Sequence, residues 1–513
     1  MKINMKILDC TLRDGGYYTN WDFEDKIVET YIQNLNALPI DYIELGYRNK
    51  PQAEYMGQYG YCPVSTLKNI RAISNKKLAV MLNEKDTRPD DLDSLLSPII
   101  GIVDMVRLAV DPKNFDRAII LAKAVKTMGF EVAFNTMYMS TWSDLEKFYP
   151  KLGQLDGTAN LFCMVDSYGS MTPELVKTTI LEVRRYTNVT LGFHGHNNLQ
   201  LALINTLTAL ENGVEIVDAT ILGMGRGAGN LNMELLLTYL NKHSDLDVDF
   251  NKLGDILQAF EPLHQYYQWG TSLPYMLSGA NSIPQKEVMA WVQNRKYSLN
   301  SIVNGIEYKR GNLSAQNQYP QFVPKRTYDK VLIIGGGESA IKHLEAVKCF
   351  IAQNPSIAVV FATARFAKEY TEIQCPKFYI LVGSEAKRLR KNVETESFID
   401  TCILPPSPHT MGTDVPEFCE KRTFELLPIT FTDSYLDSCT TLAIETARLI
   451  SDNIFIVGYD GYAGQVLSEK EAVLTMENRS VFEAYTLYAN KALVSLTPTL
   501  YDSLNVQSIY QFI

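Results

Sequence analysis

The sequence predicts an α/β protein: a (β/α)8 barrel, then a helical annex, then a Rossmann-like sheet. Three observations predict it. Through the first half, short apolar or β-branched runs alternate with turns and helical patterns of about 12 to 18 residues, the rhythm of βα units. Eight such runs fall before about residue 245, the number and length that close one parallel barrel. After a stretch without strand rhythm, the alternation resumes at Lys330, with a glycine turn between strand and helix.

The barrel strands are expected at 7–10 (ILDC), 42–46 (YIELG), 78–82 (LAVML), 105–109 (MVRLA), 132–136 (VAFNT), 161–166 (LFCMVD), 190–194 (TLGFH) and 216–221 (IVDATI). Over 246–326 helical patterns at 253–267 and 285–293 alternate with Gly, Ser and Pro breaks, which gives the annex; 311–326, rich in Asn, Gln, Pro and Lys, is expected to be the linker. Strands of the second domain, 327–513, are expected at 330–334, 357–362, 377–382 and 453–457, with helices at 339–353 and 440–451. The barrel domain is therefore placed at 1–245.

Composition narrows the function. The 513 residues carry 48 basic and 58 acidic side chains, net −10, with no long run of either sign, which disfavours general binding of nucleic acid or an anionic membrane. Eight cysteines without a CxxC pair read as reduced thiols. With no apolar leader at Met1–Lys6 and no uninterrupted apolar run of roughly 18 residues, a cytoplasmic protein is expected.

In a barrel, chemistry gathers at the carboxyl ends of the strands. Three segments stand there: Leu12-Arg13-Asp14-Gly15-Gly16-Tyr17, Gly192-Phe193-His194-Gly195-His196-Asn197-Asn198, and Gly223-Met224-Gly225-Arg226-Gly227-Ala228-Gly229-Asn230. His-x-His at a strand end puts two imidazoles on one side, about 7 Å apart at the root, so His194 and His196 can reach one cation. Asp14 arrives from the first strand, close to the seventh and eighth once the barrel closes. Two His and one carboxylate leave positions open for a bidentate substrate, and suit several divalent ions. An incidental HxH is the plain alternative. Asp166, past strand six, either orients a substrate hydroxyl or caps the turn that follows it. Asn135 and Tyr138 are expected to line the site. The aromatic run from Tyr266 to Tyr275 is expected to pack on the barrel rather than touch substrate.

These blocks, with Leu8-Asp9-Cys10-Thr11, Ile43-Glu44-Leu45-Gly46, Val165-Asp166-Ser167-Tyr168-Gly169 and Asp218-Ala219-Thr220, resemble the DRE-TIM metallolyases over about the first half of the chain. The resemblance is nearest to the 4-hydroxy-2-oxovalerate aldolase branch. It implies that Asp14, His194 and His196 hold manganese, magnesium or zinc, with Asn230 as ligand or neighbour. Glu44 would brace Arg13, and Arg13 would add positive charge at the enolate oxygen of a 2-oxo acid such as pyruvate. The branch carries a His as acid/base after Arg-Asp-Gly, where this chain has Tyr17. Either this phenol moves the proton, or it lines the acceptor pocket and a water at the metal does so. Related barrels imply a homo-oligomer.

In the second domain Gly335, Gly337 and Ala340 satisfy G-x-G-x-x-A, and Gly335, Gly337 and Ser339 are candidates to cradle a phosphate. No acidic residue stands between 346 and 368, which disfavours NAD. The last third resembles, diffusely, the Rossmann-like domains of bacterial sialyltransferases and hydroxymethylpterin pyrophosphokinase-like proteins. That implies a nucleotide or nucleotide-sugar ligand. Glu338 opposes it, and His409 is a further acid/base candidate.

The sequence thus points to a metal-dependent aldolase acting through a 2-oxo acid enolate, its acceptor a sugar-like or nucleotide-linked aldehyde. The alternatives are an acyl-CoA Claisen-type synthase, and a non-catalytic barrel joined to a nucleotide-sugar-binding or transferase domain.

Overall fold

The computed structural model describes residues 5–293, 297, 299–311, 319–383, 385–393, 398, 400–407, 414–462 and 469–513. His409 lies outside the described residues, as do residues 312–318 of the expected linker. Eight parallel strands, β1 (Lys6–Asp9), β2 (Tyr42–Tyr47), β3 (Lys77–Asn83), β4 (Met105–Val110), β5 (Glu131–Thr136), β6 (Leu161–Asp166), β7 (Thr190–Gly195) and β8 (Ile216–Ala219), pair in chain order. β8 closes on β1, with Leu8 opposite Asp218 and Asp9 opposite Ala219. All eight expected strands are present. β8 stops two residues early because Thr220 turns to pair with Asn232 and Leu222 adopts a left-handed backbone, φ 52°.

The two-residue period of the strands sorts the barrel interior into layers. Leu8, Tyr42, Ala79, Met105, Ala133, Leu161 and Ile216 form an apolar floor. Two residues further along β2, β4, β5, β6 and β8 stand Glu44, Arg107, Asn135, Cys163 and Asp218, all buried. A barrel whose floor is closed and whose next layer is polar opens its chemistry toward the carboxyl ends alone.

The Arg13–Tyr17 segment is the middle of a helix, Thr11–Thr19. Gly15 and Gly16 are required there by packing, since a Cβ would sit 2.5 Å from the Met224 sulfur and 2.1 Å from the Trp21 ring. Asn20 and Trp21, at φ 55° and 58°, end the helix and fold the indole back so that its Nε1 donates to the Arg13 carbonyl at 2.9 Å.

The chain divides into two compact units, Met1–Met289 and Ala290–Ile513, so the helices expected over 246–326 are shared between them. Helix Phe250–Tyr267 belongs with the barrel and packs Phe260 on Tyr31, ring centroids 5.6 Å apart. The aromatic run after it packs as expected: Trp269 donates to the Leu222 carbonyl at 2.9 Å and lies 5.9 Å from the Tyr18 ring.

The second unit is an eight-stranded parallel sheet: β9 (Lys330–Ile334), β10 (Ile357–Phe361), β11 (Lys377–Ile380), β12 (Thr401–Leu404), β13 (Thr423–Glu425), β14 (Ile454–Val457), β15 (Val494–Ser495) and β16 (Asn505–Val506). Its order, β13-β12-β11-β10-β9-β14-β15-β16, reverses direction between β9 and β14. That is the doubly wound plan, with four short outer strands that the sequence reading did not foresee. Residue 321, inside the expected linker, instead bridges to Glu425 at the sheet edge.

At the switch between β9 and β14 the glycine turn meets its neighbour rather than open space. Gly337 N–H donates to the Gly458 carbonyl at 2.8 Å, and a Cβ on Gly335 would lie 2.5 Å from that oxygen. Gly335→Ala is therefore expected to destabilise the second unit by about 1–3 kcal/mol. Gly254→Ala, within helix Phe250–Tyr267 and with nothing within 4 Å of its Cβ, should instead stabilise by about 0.5–1 kcal/mol. Urea unfolding midpoints of the two variants check both signs.

Candidate metal centre and active site

The β7 end and the loop after β8 are zipped together by backbone hydrogen bonds. Asn197 N–H donates to the Gly229 carbonyl at 2.8 Å and Leu231 N–H to the Gly195 carbonyl at 3.1 Å. His196 and Asn230 pair across this bridge. Asn230 then donates its amide to Asp14 Oδ2 at 2.7 Å, which ties the helix after β1 into the same cluster. The four residues expected around a metal, Asp14, His194, His196 and Asn230, thus stand together at the rim.

Each imidazole is held by one nitrogen. His194 Nδ1 lies 2.9 Å from Asp218 Oδ2, and its Nε2 faces Asp14 Oδ2 at 3.5 Å. His196 Nδ1 lies 2.7 Å from the Asp166 backbone carbonyl, which can only accept. Both rings are therefore oriented with Nδ1–H donating inward and the Nε2 lone pair left for an ion, the arrangement that outer partners impose on metal-ligating histidines. Desolvation pulls the His196 pKa down to about 3, so its lone pair stays available near neutrality. Burial pushes the Asp14 carboxyl up, but Arg13 and both imidazoles outweigh it and hold the group below its ordinary value. Among the described residues, Asn230 Oδ1 is buried without a hydrogen-bond partner, which costs free energy unless something electropositive meets it. The donor set of carboxylate, two neutral imidazoles and an orphaned amide oxygen fits a divalent ion.

Cys10, His194 and Asp218 also bring ligand atoms within 4.8 Å of one another. They serve as the support of the centre instead. Burial raises the Cys10 thiol well above its ordinary pKa, so it stays protonated, and Asp218 Oδ2 is already shared by His194 and Arg107.

Behind the rim, Arg107 is fully buried and joins four strands: Nη1 to Glu44 Oε2 at 3.0 Å, Nη2 to Asp218 Oδ2 at 2.6 Å, Nε to Asn135 Oδ1 at 2.9 Å, and Nη2 to Cys163 Sγ at 3.5 Å. Burial would raise the Asp218 pKa; Arg107 and His194 reverse that and hold it at about 2. Arg13 gives Nε to Glu44 Oε2 at 2.9 Å and Nη1 to Asp14. Glu44 therefore does brace Arg13, and it braces Arg107 as well.

Tyr17 Oη lies 2.9 Å from Tyr47 Oη, and the Arg226 guanidinium is 3.8 Å from the Tyr17 ring centre. Arg226 makes no ion pair among the described residues. Asp166 follows the capping alternative: Oδ1 accepts from Ser170 N–H at 3.1 Å and Oδ2 from Met171 N–H at 3.2 Å, while its backbone carbonyl orients His196. Asn135 is committed to Arg107.

In the second unit, Ser339 N–H donates to Asp460 Oδ2 at 2.9 Å and its hydroxyl to Asp460 Oδ1. Arg365 pairs with Glu338 at 2.8 Å. The amide and hydroxyl of Ser339 are thus engaged by the chain's own carboxylate. Gly335 and Gly337 are explained by the closeness of Gly458 and Asp460, without a nucleotide.

The sequence motifs leave Arg107 and Tyr47 unnamed, and include Arg226 and Asp218 without giving either a role. For Arg107 the signal was present: a lone charge at an inward position of the apolar run Met105-Val106-Arg107-Leu108-Ala109-Val110.

A family model described as HMGL-like matches residues 106–259. A 4-hydroxy-2-oxovalerate aldolase from Carboxydothermus hydrogenoformans is 33% identical over 265 residues, 50% of this chain and 77% of that protein. An oxaloacetate decarboxylase from Mycobacterium tuberculosis is 25% identical over 336 residues, 64% of this chain and 96% of its own. The crystal structure of the N-terminal domain of a candidate aldolase from Bacteroides vulgatus is 66% identical, with TM-score 0.56, and covers 58% of this chain and 99% of that one.

Removing Arg107 would leave Glu44 and Asp218 as buried, uncompensated carboxylates, so Arg107→Leu is expected to cost about 3–5 kcal/mol in urea unfolding. Asp218→Asn should leave the fold in place and weaken manganese binding about 10–100-fold, read by electron paramagnetic resonance titration.

Proposed function

The chain belongs to the HMGL-like family, the DRE-TIM metallolyases, metal-dependent lyases and aldolases of pyruvate-type substrates, and from that premise we propose that its barrel is an aldolase working through a 2-oxo acid enolate. The observation that carries the reading is the orientation of His194 and His196, each with Nδ1 engaged by the protein and Nε2 left over beside Asp14 and the unpartnered Asn230 oxygen. Asp14, His194, His196 and Asn230 would hold the ion, with manganese, magnesium and zinc all compatible. Such an ion supplies Lewis-acid polarisation of a keto oxygen.

The remaining roles fall to side chains. Arg226, with Tyr17 beneath it and no carboxylate of its own, offers its guanidinium to the oxo acid's carboxylate. Arg13 fixes Asp14 and adds positive charge beside the oxygen that becomes anionic, an interaction stronger in the transition state than in the ground state. Tyr17, joined to Tyr47 through their hydroxyls, stands where the family's aldolase branch has its imidazole and carries the proton of the aldol hydroxyl. Asp166 is assigned to positioning His196. Of the acceptors the sequence suggests, the nucleotide-linked one loses support because Asp460 fills the glycine turn. A free aldehyde is the simpler partner.

Purified protein with manganese and pyruvate in heavy water should lose the pyruvate methyl proton signal. EDTA or Asp14→Asn should return the rate to that without enzyme. Absence of exchange in the manganese-loaded wild type overturns the reading, and release of thiol from acetyl-CoA with a 2-oxo acid would favour the Claisen alternative. In the same assay Arg226→Gln is expected to raise the pyruvate KM about tenfold or more, the worth of roughly 1.4 kcal/mol of ground-state binding.

A further inference from the structure

A crevice of about 370 Å³ lies on the rim over the carboxyl ends of β4, β5 and β6, lined by Asp111, Lys113, Tyr138, Thr141, Asp144 and Tyr168 together with two apolar residues, Pro112 and Leu145. Its size falls within the range of small-molecule sites, roughly 300–1,000 Å³. Nothing in the roles given above uses it. It shares the β6 loop with the metal centre: Asp166 turns His196, and Tyr168, two residues on, lines the crevice.

The lining is a built one. Tyr138 sits in the left-handed backbone region, φ 61° and ψ 40°, where an aromatic residue is uncommon. Ser167 Oγ accepts from its N–H at 2.8 Å, and Thr141 donates to its carbonyl from both N–H and Oγ1 at 2.9 Å. These bonds hold the strained residue so that its ring stands 5.4 Å from that of Tyr168. Both rings are half-buried, and neither phenol hydroxyl has a hydrogen-bond partner among the described residues. Asp111 spends one oxygen on the Lys113 amide at 2.9 Å. Asp144 is exposed at the rim, and the Lys113 ammonium makes no ion pair among the described residues.

The composition selects among aldehydes. An aliphatic acceptor could lie on the two aromatic rings, Pro112 and Leu145, but would leave the oxygens of Asp111, Asp144 and the two phenols without partners as it displaced their water. A phosphorylated acceptor meets two carboxylates against one ammonium. A neutral polyhydroxylated chain suits every group: its C–H faces lie on the aromatic pair and its hydroxyls donate to Asp111 and Asp144 and exchange hydrogen bonds with the two phenols. We propose that this crevice binds the acceptor of the aldol reaction, and that the acceptor is a neutral sugar-type aldehyde. The proposal rests on the aldolase reading of the barrel. In the condensation a methyl C–H of the 2-oxo acid breaks and its proton leaves to a base. The resulting carbanion attacks the aldehyde carbon, and the aldehyde oxygen takes up a proton, so no oxidant or reductant enters.

The test uses the full chain with manganese and pyruvate, and an aldehyde panel: D-glyceraldehyde and D-erythrose, propionaldehyde and butyraldehyde, erythrose 4-phosphate, and 3-aminopropionaldehyde. Condensation is read by mass spectrometry and kcat/KM. Wild type should favour erythrose over butyraldehyde by tenfold or more. Tyr168→Ala and Asp111→Asn should each lower that ratio at least fivefold, through the KM of the sugar. Preference for the aliphatic, phosphorylated or cationic aldehyde overturns the proposal, and so does a ratio that the two variants leave in place. Methyl exchange without condensation across the panel also overturns it while the enolate reading stands. Loss of exchange in wild type removes both.

Discussion

The Arg107 guanidinium is the interaction on which the barrel's chemistry depends. A fully buried arginine loses its hydration, at an effective cost of several kcal/mol, and is tolerable only with carboxylates in contact. Glu44 and Asp218 supply them from opposite sides, and each carboxylate passes the constraint on: Glu44 to Arg13 and so to Asp14, Asp218 to His194. One cation deep in the barrel thereby fixes both a carboxylate ligand and an imidazole ligand of the candidate metal centre. The apolar floor beneath it keeps water out, so these contacts act in a low-dielectric surrounding where geometry is held tightly.

The charges of this network can be counted. Arg13, Arg107 and Arg226 stand against Asp14, Glu44 and Asp218, three of each sign, with the imidazoles taken as neutral donors. On the proposed reading, a dication would bring these six groups to +2, a 2-oxo acid carboxylate to +1, and removal of a methyl proton to zero. Over these six side chains the balance would reach zero with a dianionic enolate, which is where differential stabilisation counts toward rate; the buried Asp166 carboxylate, raised to about 6 by burial, adds a further negative charge above that pH. Adding an imidazolium at position 17 would upset that sum, and this chain has a phenol there. Tyr17 and Arg226 are thus one feature: the aromatic ring gives the cation a face to rest on, and the cation needs no carboxylate that would spoil the count.

Much of this was legible in the residues, and the part that was not has a physical explanation. Strands 161–166 and 190–194 were readable because a strand buried on both faces is a near-continuous apolar run. His194 and His196 were readable because the two-residue period puts both on one side of β7. Arg107 is visible as a lone charge in an apolar run, but its meaning depends on Glu44 and Asp218, 63 and 111 residues away. The glycine turn at Gly335 is ambiguous for the complementary reason. Glycines record that something comes close, and sequence alone does not say whether that is a phosphate or, as here, the Gly458 carbonyl and the Asp460 carboxylate.

The rim is divided in physical character. On the side of β1, β7 and β8, each candidate ligand is fixed through a neighbouring hydrogen bond or ion pair, and the same few positions must serve any 2-oxo acid. On the side of β4, β5 and β6 the side chains that face the crevice keep free hydroxyls and carboxylate oxygens, and position is enforced through the backbone of Tyr138. A barrel that fixes its donor half through buried charge can vary its acceptor half through three loops without touching the metal centre. Asp166 is the joint between them: its carboxylate fastens the β6 loop by two backbone amides, and its carbonyl aims His196. A change in that loop therefore reaches the metal side only if it moves Asp166, and the two amide bonds resist that.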